Sequence, residues 1–315
     1  VKCWGDNGQG RLGYGDGKAR GQNEGVKDLP DVDLGAPDGG VAKISAGASH
    51  NCALFVNGGM KCWGNNDEGR LGYGDAKHRG NDKGEMGNDL PLVSLAADHT
   101  AKDMALGTHH TCAMLVDGGL QCWGGNRYGQ LGYGWTSWEI GNQVSEMGDN
   151  LPIIFSSNLA TCDQYTSETW NAGASAATSK ITLGRGSGLV VLENGALKEW
   201  SRTGLGTTIN LGNDCKFDVE QVAQNTYYKC AVLSSGSLKC FSKTWSSGWG
   251  NDLPAIALGA GHTVKSVAMC GALHHTCALL DDGSVKCWGD GKFGKLGYRD
   301  AAPRGDDDNE MGDYL

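Results

Sequence analysis

The sequence repeats one unit, and this repetition limits the chain to folds built from copies of that unit. Each unit reads Cys-Ala, two apolar residues, a glycine-containing turn, and then Lys or Gln before Cys-Trp-Gly. Five copies carry both halves, two of them in degraded form, and they begin at Cys52, Cys112, Leu189, Cys230 and Cys277. A half copy opens the sequence at Lys2. The architecture must therefore accommodate about six similar pieces.

Each unit has the pattern of a β-hairpin, because two short apolar stretches flank an Asn-Gly, Asp-Gly or Ser-Gly turn. A second motif, Gly-x-Leu-Gly-Tyr, follows most copies; it begins at Gly10, Gly69, Gly129 and Gly294. A single hairpin cannot bury its apolar face, so the copies must pack on one another along a line or around a ring. A ring leaves fewer exposed strand edges, and the pattern therefore favours an all-β propeller.

The combined motif GTHHTCAMLVDGGLQCWGGNRYGQLGYG, from Gly107, resembles the regulator of chromosome condensation repeat. Members of that family fold as β-propellers, usually of seven blades, so the resemblance implies a ring. The repeats here predict about six four-stranded blades, or seven if residues outside 1–315 contribute. We expect one propeller domain over residues 1–315, with a loop insertion at 155–178. Because the sequence starts in the middle of a repeat, we also expect it to be part of a longer chain or a polymer, with a truncated monomer as the alternative.

Composition excludes several classes of protein. The 52 Gly are accompanied by only 6 Pro and lack a three-residue period, which excludes collagen. Lys and Arg are scattered singly in a chain of net charge −9, so no basic stripe is available for nucleic acid. No apolar run reaches the roughly 20 residues that span a membrane. No nucleophile or metal motif of a known enzyme class is present, and we predict a protein without catalytic activity.

Cysteines recur in pairs ten residues apart: Cys52 with Cys62, Cys112 with Cys122, Cys230 with Cys240, and Cys277 with Cys287. The degraded copy lacks both, with Leu189 and Glu199 in their places. Joint loss indicates paired use, and opposed positions on a hairpin suit a disulfide. Buried thiols are the alternative, and a zinc site is disfavoured because no pair has the Cys-x-x-Cys spacing. Disulfides imply an oxidising compartment, so we expect an extracellular or cell-surface protein.

Four further cysteines lie outside these pairs. Cys162 and Cys215 both fall in irregular segments and are predicted to form a bridge. Cys3 and Cys270 have no assigned partner.

Histidine precedes the first cysteine by two residues in three copies, at His50, His110 and His275. A group that is needed once for chemistry would not be repeated in every blade, so we expect structural hydrogen bonds. The repeated aromatic residues are expected to pack between blades, with a sugar-stacking platform as the alternative; they are Trp4, Trp63, Trp123, Trp200, Phe241, Trp288, Tyr14, Tyr73, Tyr133 and Tyr298. Trp135 and Trp138 depart from the repeat and are the candidates for an exposed binding contact.

An acidic loop near residue 310 could hold Ca²⁺ through oxygen ligands, since its carboxylates cluster on a Gly-containing segment. The candidate ligands are Asp306, Asp307, Asp308 and Glu310. No EF-hand pattern is present, and a solvated acidic loop is the alternative reading. No other cofactor is expected.

The sequence therefore predicts a non-catalytic propeller of a secreted or surface assembly, which binds protein partners or copies of itself. The family resemblance suggests an alternative, a nucleotide-exchange factor for a small GTPase, which would require a reducing compartment. A carbohydrate-binding or inhibitory module is a third reading. Function on such a fold lies in variable loops, so the repeat does not name the partner.

Overall fold

The structure is a computed structural model of the chain. It describes residues 1–21, 25–35, 39–154, 178–192, 197–201, 204–209, 219–225, 228–242, 255–269, 275–292, 296–305 and 310–315. The predicted insertion at 155–178 therefore lies outside the described residues, apart from Thr178 at the start of a strand. The predicted Cys162–Cys215 bridge and Cys270 also lie outside them.

The described residues form five β-sheets, numbered here in chain order. Sheet 1 contains β1 Val41–Ala46, β2 His50–Phe55 and β3 Met60–Gly64. Sheet 2 contains β4 Ala101–Leu106, β5 His110–Leu115, β6 Leu120–Gly125 and β7 Glu139–Ile140. Sheet 3 contains β8 Thr178–Leu183, β9 Gly188–Leu192, β10 Leu197–Ser201 and β11 Gly204–Ile209. Sheet 4 contains β12 Val219–Gln224, β13 Tyr228–Leu233 and β14 Leu238–Ser242. Sheet 5 contains β15 Val264–Met269, β16 His275–Leu280 and β17 Val285–Gly289.

Helical structure in the described residues is limited to short 3₁₀ turns, so the all-β prediction is confirmed. These turns are Gly8–Gly10, Val26–Asp28, Asp67–Gly69, Gly87–Asp89, Val144–Glu146, Gly148–Asn150 and Gly312–Tyr314. None of the described helices is long and apolar enough to cross a membrane.

Each repeat unit forms the predicted antiparallel hairpin, as in β2–β3, where Cys52 lies opposite Cys62. A further strand precedes it and pairs with the first strand of the hairpin, as β1 pairs with β2. Sheets 2 and 3 have four strands, whereas sheets 1, 4 and 5 have three in the described residues. In sheets 1 and 5 the expected fourth strand is reduced to a single bridge, Gly64 to Arg79 and Gly289 to Arg304. Only one residue pairs there because the connecting loop satisfies the edge in other ways, described below.

Contacts divide the chain into two compact units. The first contains sheets 1 and 2, and the second contains sheets 4 and 5 with most of sheet 3. In the first unit Trp63 is fully buried in a cluster with Phe55 and Leu90. In the second, residues of sheets 4 and 5 share a cluster that includes Val232 and Leu280. The core of the second unit thus lies between neighbouring sheets, whereas the Trp63 cluster joins sheet 1 to the loops beside it.

Candidate functional site

The cysteine pairs are disulfide bonded within their own hairpins, as the sequence predicts. The bridges join Cys52 to Cys62, Cys112 to Cys122, Cys230 to Cys240 and Cys277 to Cys287. The Cα atoms of each pair are 4.1 Å apart. This short spacing marks the non-hydrogen-bonded positions of an antiparallel pair, where the backbone groups point away from the partner strand. The second cysteine of each pair therefore presents its N–H and C=O to the open edge of the hairpin.

A tyrosine hydroxyl occupies that edge. The hydroxyl of Tyr73 accepts a hydrogen bond from the Cys62 N–H at 2.8 Å and donates one to the Cys62 carbonyl at 2.9 Å. The corresponding tyrosines accept from the cysteine N–H in three other copies: Tyr14 from Cys3, Tyr133 from Cys122 and Tyr298 from Cys287. Burial raises the pKa of Tyr73, so its proton is retained for this bond. The sequence predicts that the tyrosines pack between blades, with sugar stacking as the alternative, and the bond to the backbone is an additional role.

Backbone and lysine contacts complete the edge on either side of the tyrosine. Two residues before Cys62, the carbonyl of Met60 accepts from the Val93 N–H at 2.8 Å. The buried Lys61 amine donates to the carbonyls of Leu34 and Gly87, at 2.9 and 2.8 Å. Gln121 fills the same position in sheet 2 and its side-chain amide donates to the carbonyls of Gly148 and Leu151. This explains why the repeat has Lys or Gln before the second cysteine, since both supply N–H donors.

A repeated cluster of tyrosine, aspartate and arginine, which the sequence analysis does not predict, lies beside the hairpin edge. Asp75 and Arg79 form an ion pair at 2.7 Å, and the Arg79 guanidinium lies 5.3 Å from the centre of the Tyr73 ring. The same three side chains associate in two further copies, Tyr14 with Asp16 and Arg20, and Tyr298 with Asp300 and Arg304. The pattern Tyr-x-Asp-x-x-x-Arg was visible in the sequence, but the ion pair required the loop to fold back. The ion pair thus places the guanidinium over the ring of the tyrosine that bonds to the hairpin edge.

Sheets 1 and 2 are joined by a buried polar network. The Thr111 hydroxyl and the Trp123 indole N–H both donate to the carbonyl of Arg70, at 2.8 and 3.0 Å. The single hydroxyl hydrogen of Thr111 is already used in the bond to the Arg70 carbonyl. The Thr111 oxygen therefore accepts a hydrogen bond from His50 Nε2, which lies 2.9 Å away. Burial, followed by the charge of Arg70, lowers the pKa of His50 well below its usual value. His50 is therefore neutral and structural, as predicted.

His110 differs from His50. It is fully buried, and among the described residues neither ring nitrogen has a hydrogen-bond partner. Burial lowers its pKa to about 3, so the ring is neutral near pH 7. The hydrogen bond expected at this position is therefore not made by a described residue.

The repeated tryptophans follow the packing prediction, with one correction. Trp63, Trp123 and Trp200 have no exposed surface, whereas Trp4 is 59% exposed. In the half copy, the side chain of Trp4 lies beside Gly21 and leaves most of its ring in solvent. Cys3, in the same half copy, is a free thiol whose pKa is raised by burial.

An exposed aromatic surface lies beside the Gln-Leu-Gly-Tyr motif of sheet 2. Trp138 is 67% exposed and the Arg127 guanidinium lies 3.8 Å from its ring centre. Trp135 is 47% exposed and stacks on Tyr133 with the ring centres 5.7 Å apart. Trp135 occupies the position of Asp75 in the other modules, so this module has exchanged its ion pair for exposed rings. We call Arg127, Tyr128, Trp135 and Trp138 the aromatic surface.

The predicted calcium ligands Asp306, Asp307 and Asp308 lie outside the described residues, and Glu310 accepts a hydrogen bond from the Gly305 N–H at 2.9 Å. A different His-carboxylate cluster, His262 with Asp281 and Asp282, is exposed at a hairpin turn. Its His262 Nδ1 lies 3.3 Å from Asp281, which repeats the contact of His99 with Asp117 in sheet 2. This repetition favours a structural cap over a metal site.

The comparisons with known proteins agree with the repeat seen in the sequence. Residues 41–70, 101–130 and 264–295 match the family model of the regulator of chromosome condensation (RCC1) repeat. The ultraviolet-B receptor UVR8 of Arabidopsis thaliana is 27% identical over 323 aligned positions, which cover 94% of this chain. The match spans 62% of that receptor, so it covers less than two thirds of this relative's length.

Solved structures with the same fold are β-propellers. Human WBSCR16 aligns over 91% of this chain and 73% of its own with a TM-score of 0.61 at 16% identity. Prp20p of Saccharomyces cerevisiae aligns over 91% of this chain and 65% of its own with a TM-score of 0.57 at 17% identity. At these identities the likeness concerns the fold alone.

Proposed function

Because this chain belongs to the RCC1 repeat family, we propose that it is a non-catalytic propeller of about six blades that binds a protein partner. The blade number rests on five sheets and the half copy at Cys3. The fold leaves function to its loops, and the aromatic surface is the loop feature that best fits binding.

The observation that carries this proposal is the exposure of Trp135 and Trp138. Trp, Tyr and Arg dominate the binding energy of protein interfaces, and the aromatic surface combines all three residue types. Arg127 is already positioned on the ring of Trp138, and its Nε lies 3.9 Å from a Glu68 oxygen. A surface held in place before binding loses less conformational entropy when the partner docks.

The hairpin disulfides support an oxidising compartment, and we propose that the protein acts at the cell surface or outside the cell. Thr111 and His50 bring a hydroxyl into contact with an imidazole, but both side chains are buried and the hydroxyl donates its proton to the Arg70 carbonyl, so this contact is structural. This favours a binding protein over an enzyme.

The aromatic surface is tested by the variant Trp138→Ala, with Trp4→Ala as the matched control. Trp4 is also exposed, so both variants remove one solvent-facing ring. A partner would be captured from native material by crosslinking and identified by mass spectrometry, and its affinity for each variant would then be measured. We expect Trp138→Ala to lose at least about tenfold in affinity, and the control to keep it. Equal affinities would refute the assignment of this surface.

A nucleotide-exchange factor is the second candidate, because Prp20p in the same family is described by its binding to Gsp1p and histones. It is separated from the first by measuring release of fluorescent GDP from a panel of Ras-like GTPases. We expect no acceleration by the intact, oxidised protein. Acceleration that Trp138→Ala leaves unchanged would favour the exchange factor instead.

A further inference from the structure

Among the described residues, sheet 4 lacks the tyrosine that covers the hairpin edge in sheets 1, 2 and 5. Cys230 and Cys240 are directly opposed with Cα atoms 4.1 Å apart, so the N–H and C=O of Cys240 point away from β13. Two residues earlier, the Leu238 carbonyl accepts from the Ile256 N–H at 2.7 Å, as the Met60 carbonyl accepts from Val93 in sheet 1. In the part of the chain that the structure describes, nothing bonds to the Cys240 N–H and C=O.

A cavity opens at this position, within the second unit. Its volume is about 810 Å³, and its walls include Cys240, Phe241, Met269, Thr276 and Trp288. Cys62 and Cys122, which the tyrosines cover, have no exposed surface, whereas Cys240 is partly exposed to the cavity. The cavity is of the size that takes a small ligand or a few residues of a peptide.

The cavity lining includes two more hydrogen-bond donors without a described partner, both on sheet 5. Thr276 and Trp288 in sheet 5 correspond to Thr111 and Trp123 in sheet 2, since each pair is opposed across a hairpin next to a disulfide. Thr111 and Trp123 both donate to the carbonyl of Arg70. Thr276 and Trp288 line the cavity instead, and no described residue accepts a hydrogen bond from either side chain.

The Cys240 backbone groups, Thr276 and Trp288 correspond to Cys62, Thr111 and Trp123 in the first unit. In that unit, a segment of the chain itself bonds to all three. There, one segment, Arg70-Leu71-Gly72-Tyr73, supplies a carbonyl to the Thr–Trp pair and a phenol to the cysteine edge. The residue before the tyrosine must be glycine, since a Cβ on Gly72 would lie 2.6 Å from the Trp123 Nε1. A ligand for the cavity would therefore need a tyrosine, a preceding glycine and a carbonyl three residues before the tyrosine.

We propose that the cavity beside Cys240 binds a Leu-Gly-Tyr segment of a partner protein. The phenol hydroxyl bridges the N–H and C=O of Cys240, and a backbone carbonyl accepts from Thr276 and Trp288. Phe241 and Met269 contact the apolar part of the segment. This site lies in sheets 4 and 5, so its test is independent of the test of the aromatic surface of sheet 2.

The test uses two blocked peptides, acetyl-Arg-Leu-Gly-Tyr-Gly-amide and the same peptide with Phe for Tyr, with the whole oxidised chain. Binding is followed by NMR at the Cys240 amide and the Trp288 indole N–H. We expect the Tyr peptide to shift both signals and the Phe peptide to bind about five- to tenfold more weakly, because it leaves both Cys240 groups unbonded. Equal affinities, or no binding by either peptide, would overturn the proposal.

Hydrogen exchange gives a second readout on the unaltered protein. Before peptide is added, the Cys240 amide should exchange faster than the Cys62 amide, and the Tyr peptide should slow it. If Cys240 is already as protected as Cys62, the edge is covered by the chain itself, and the proposal is wrong. Protection that grows with protein concentration, together with a dimer in sedimentation, would assign the site to a second copy and would also overturn it.

The variant Met269→Trp adds side-chain volume to the cavity wall and should abolish binding of the Tyr peptide. Val56→Trp is the matched control, because Val56 is 65% exposed on a hairpin turn of sheet 1. It should bind the peptide as the original chain does. Retained binding by Met269→Trp, or loss in the control, would contradict the assigned location.

Discussion

Removing one oxygen atom, in the variant Tyr73→Phe, tests whether the tyrosine hydroxyl holds the hairpin edge. The hydroxyl makes two hydrogen bonds, 2.8 Å from the Cys62 nitrogen and 2.9 Å from the Cys62 oxygen. The phenylalanine ring keeps the packing and the contact with Arg79, so the change removes only these bonds. Each backbone group left unbonded costs about 1–3 kcal/mol. Because the Tyr73 side chain is only half-buried, we take the lower values and expect a loss of about 2 kcal/mol in the free energy of unfolding.

The assay is urea unfolding followed by tryptophan fluorescence, combined with hydrogen exchange at the Cys62 amide. Tyr128→Phe is the matched control, since Tyr128 is 54% exposed and the same atom is removed. We expect the control to change stability by less than about 0.5 kcal/mol. If Tyr73→Phe lies within that range and the Cys62 amide remains protected, the edge does not depend on the hydroxyl. The reasoning behind the cavity in sheet 4 would then also fail.

Three further predictions follow from the same contacts. Gly72→Ala should prevent folding or lower the melting temperature strongly, because its φ is +78° and its Cβ would lie 2.6 Å from the Trp123 Nε1; circular dichroism melting checks this. His110 has a pKa of about 3 in the folded protein, below the unfolded value of 6.5. Its contribution to the free energy of unfolding is therefore complete above pH 6.5 and is lost as the pH falls toward 3. The free energy of unfolding should drop by about 1.4 kcal/mol per pH unit in that window, and His110→Gln should reduce this slope in urea titrations at several pH values. Replacing Cys112 and Cys122 by serine should lower the free energy of unfolding by about 2–3 kcal/mol, a modest loss because the bridge closes only a short loop. An unchanged midpoint in urea unfolding would show that the bridge does not stabilise the fold.

The hairpins and their disulfides could be predicted from the sequence because their determinants are local. A ten-residue separation with a glycine turn between the cysteines places Cys52 opposite Cys62. The joint replacement by Leu189 and Glu199 signals the same pairing without any knowledge of the fold. Trp135 and Trp138 were likewise identified because they break the repeat, and both are exposed.

The sequence was less informative where side chains bond to distant backbone. The role of Tyr73 at Cys62, and of Lys61 at Leu34 and Gly87, needs a loop to return to the edge it left. The repetition of these residues indicates a structural role. It does not distinguish packing from hydrogen bonding, because both roles would repeat with the same period. Trp4 shows the converse error, because a residue with the motif of a core tryptophan is largely exposed in the half copy.

What the sequence determined by itself is the repeating unit: a hairpin, its turn, its disulfide and the module that follows. These features depend on residues within about a dozen positions of one another, so the interactions that stabilise them can be recognised from short stretches of sequence. Only the tertiary structure decided which groups remain unbonded after the sheets pack. The cavity beside Cys240 exists because sheet 5 presents Thr276 and Trp288 to an edge whose own repeat supplies no described tyrosine. Such a site depends on what two sheets leave between them, and hydrogen-bond satisfaction across that space is not encoded in either repeat alone.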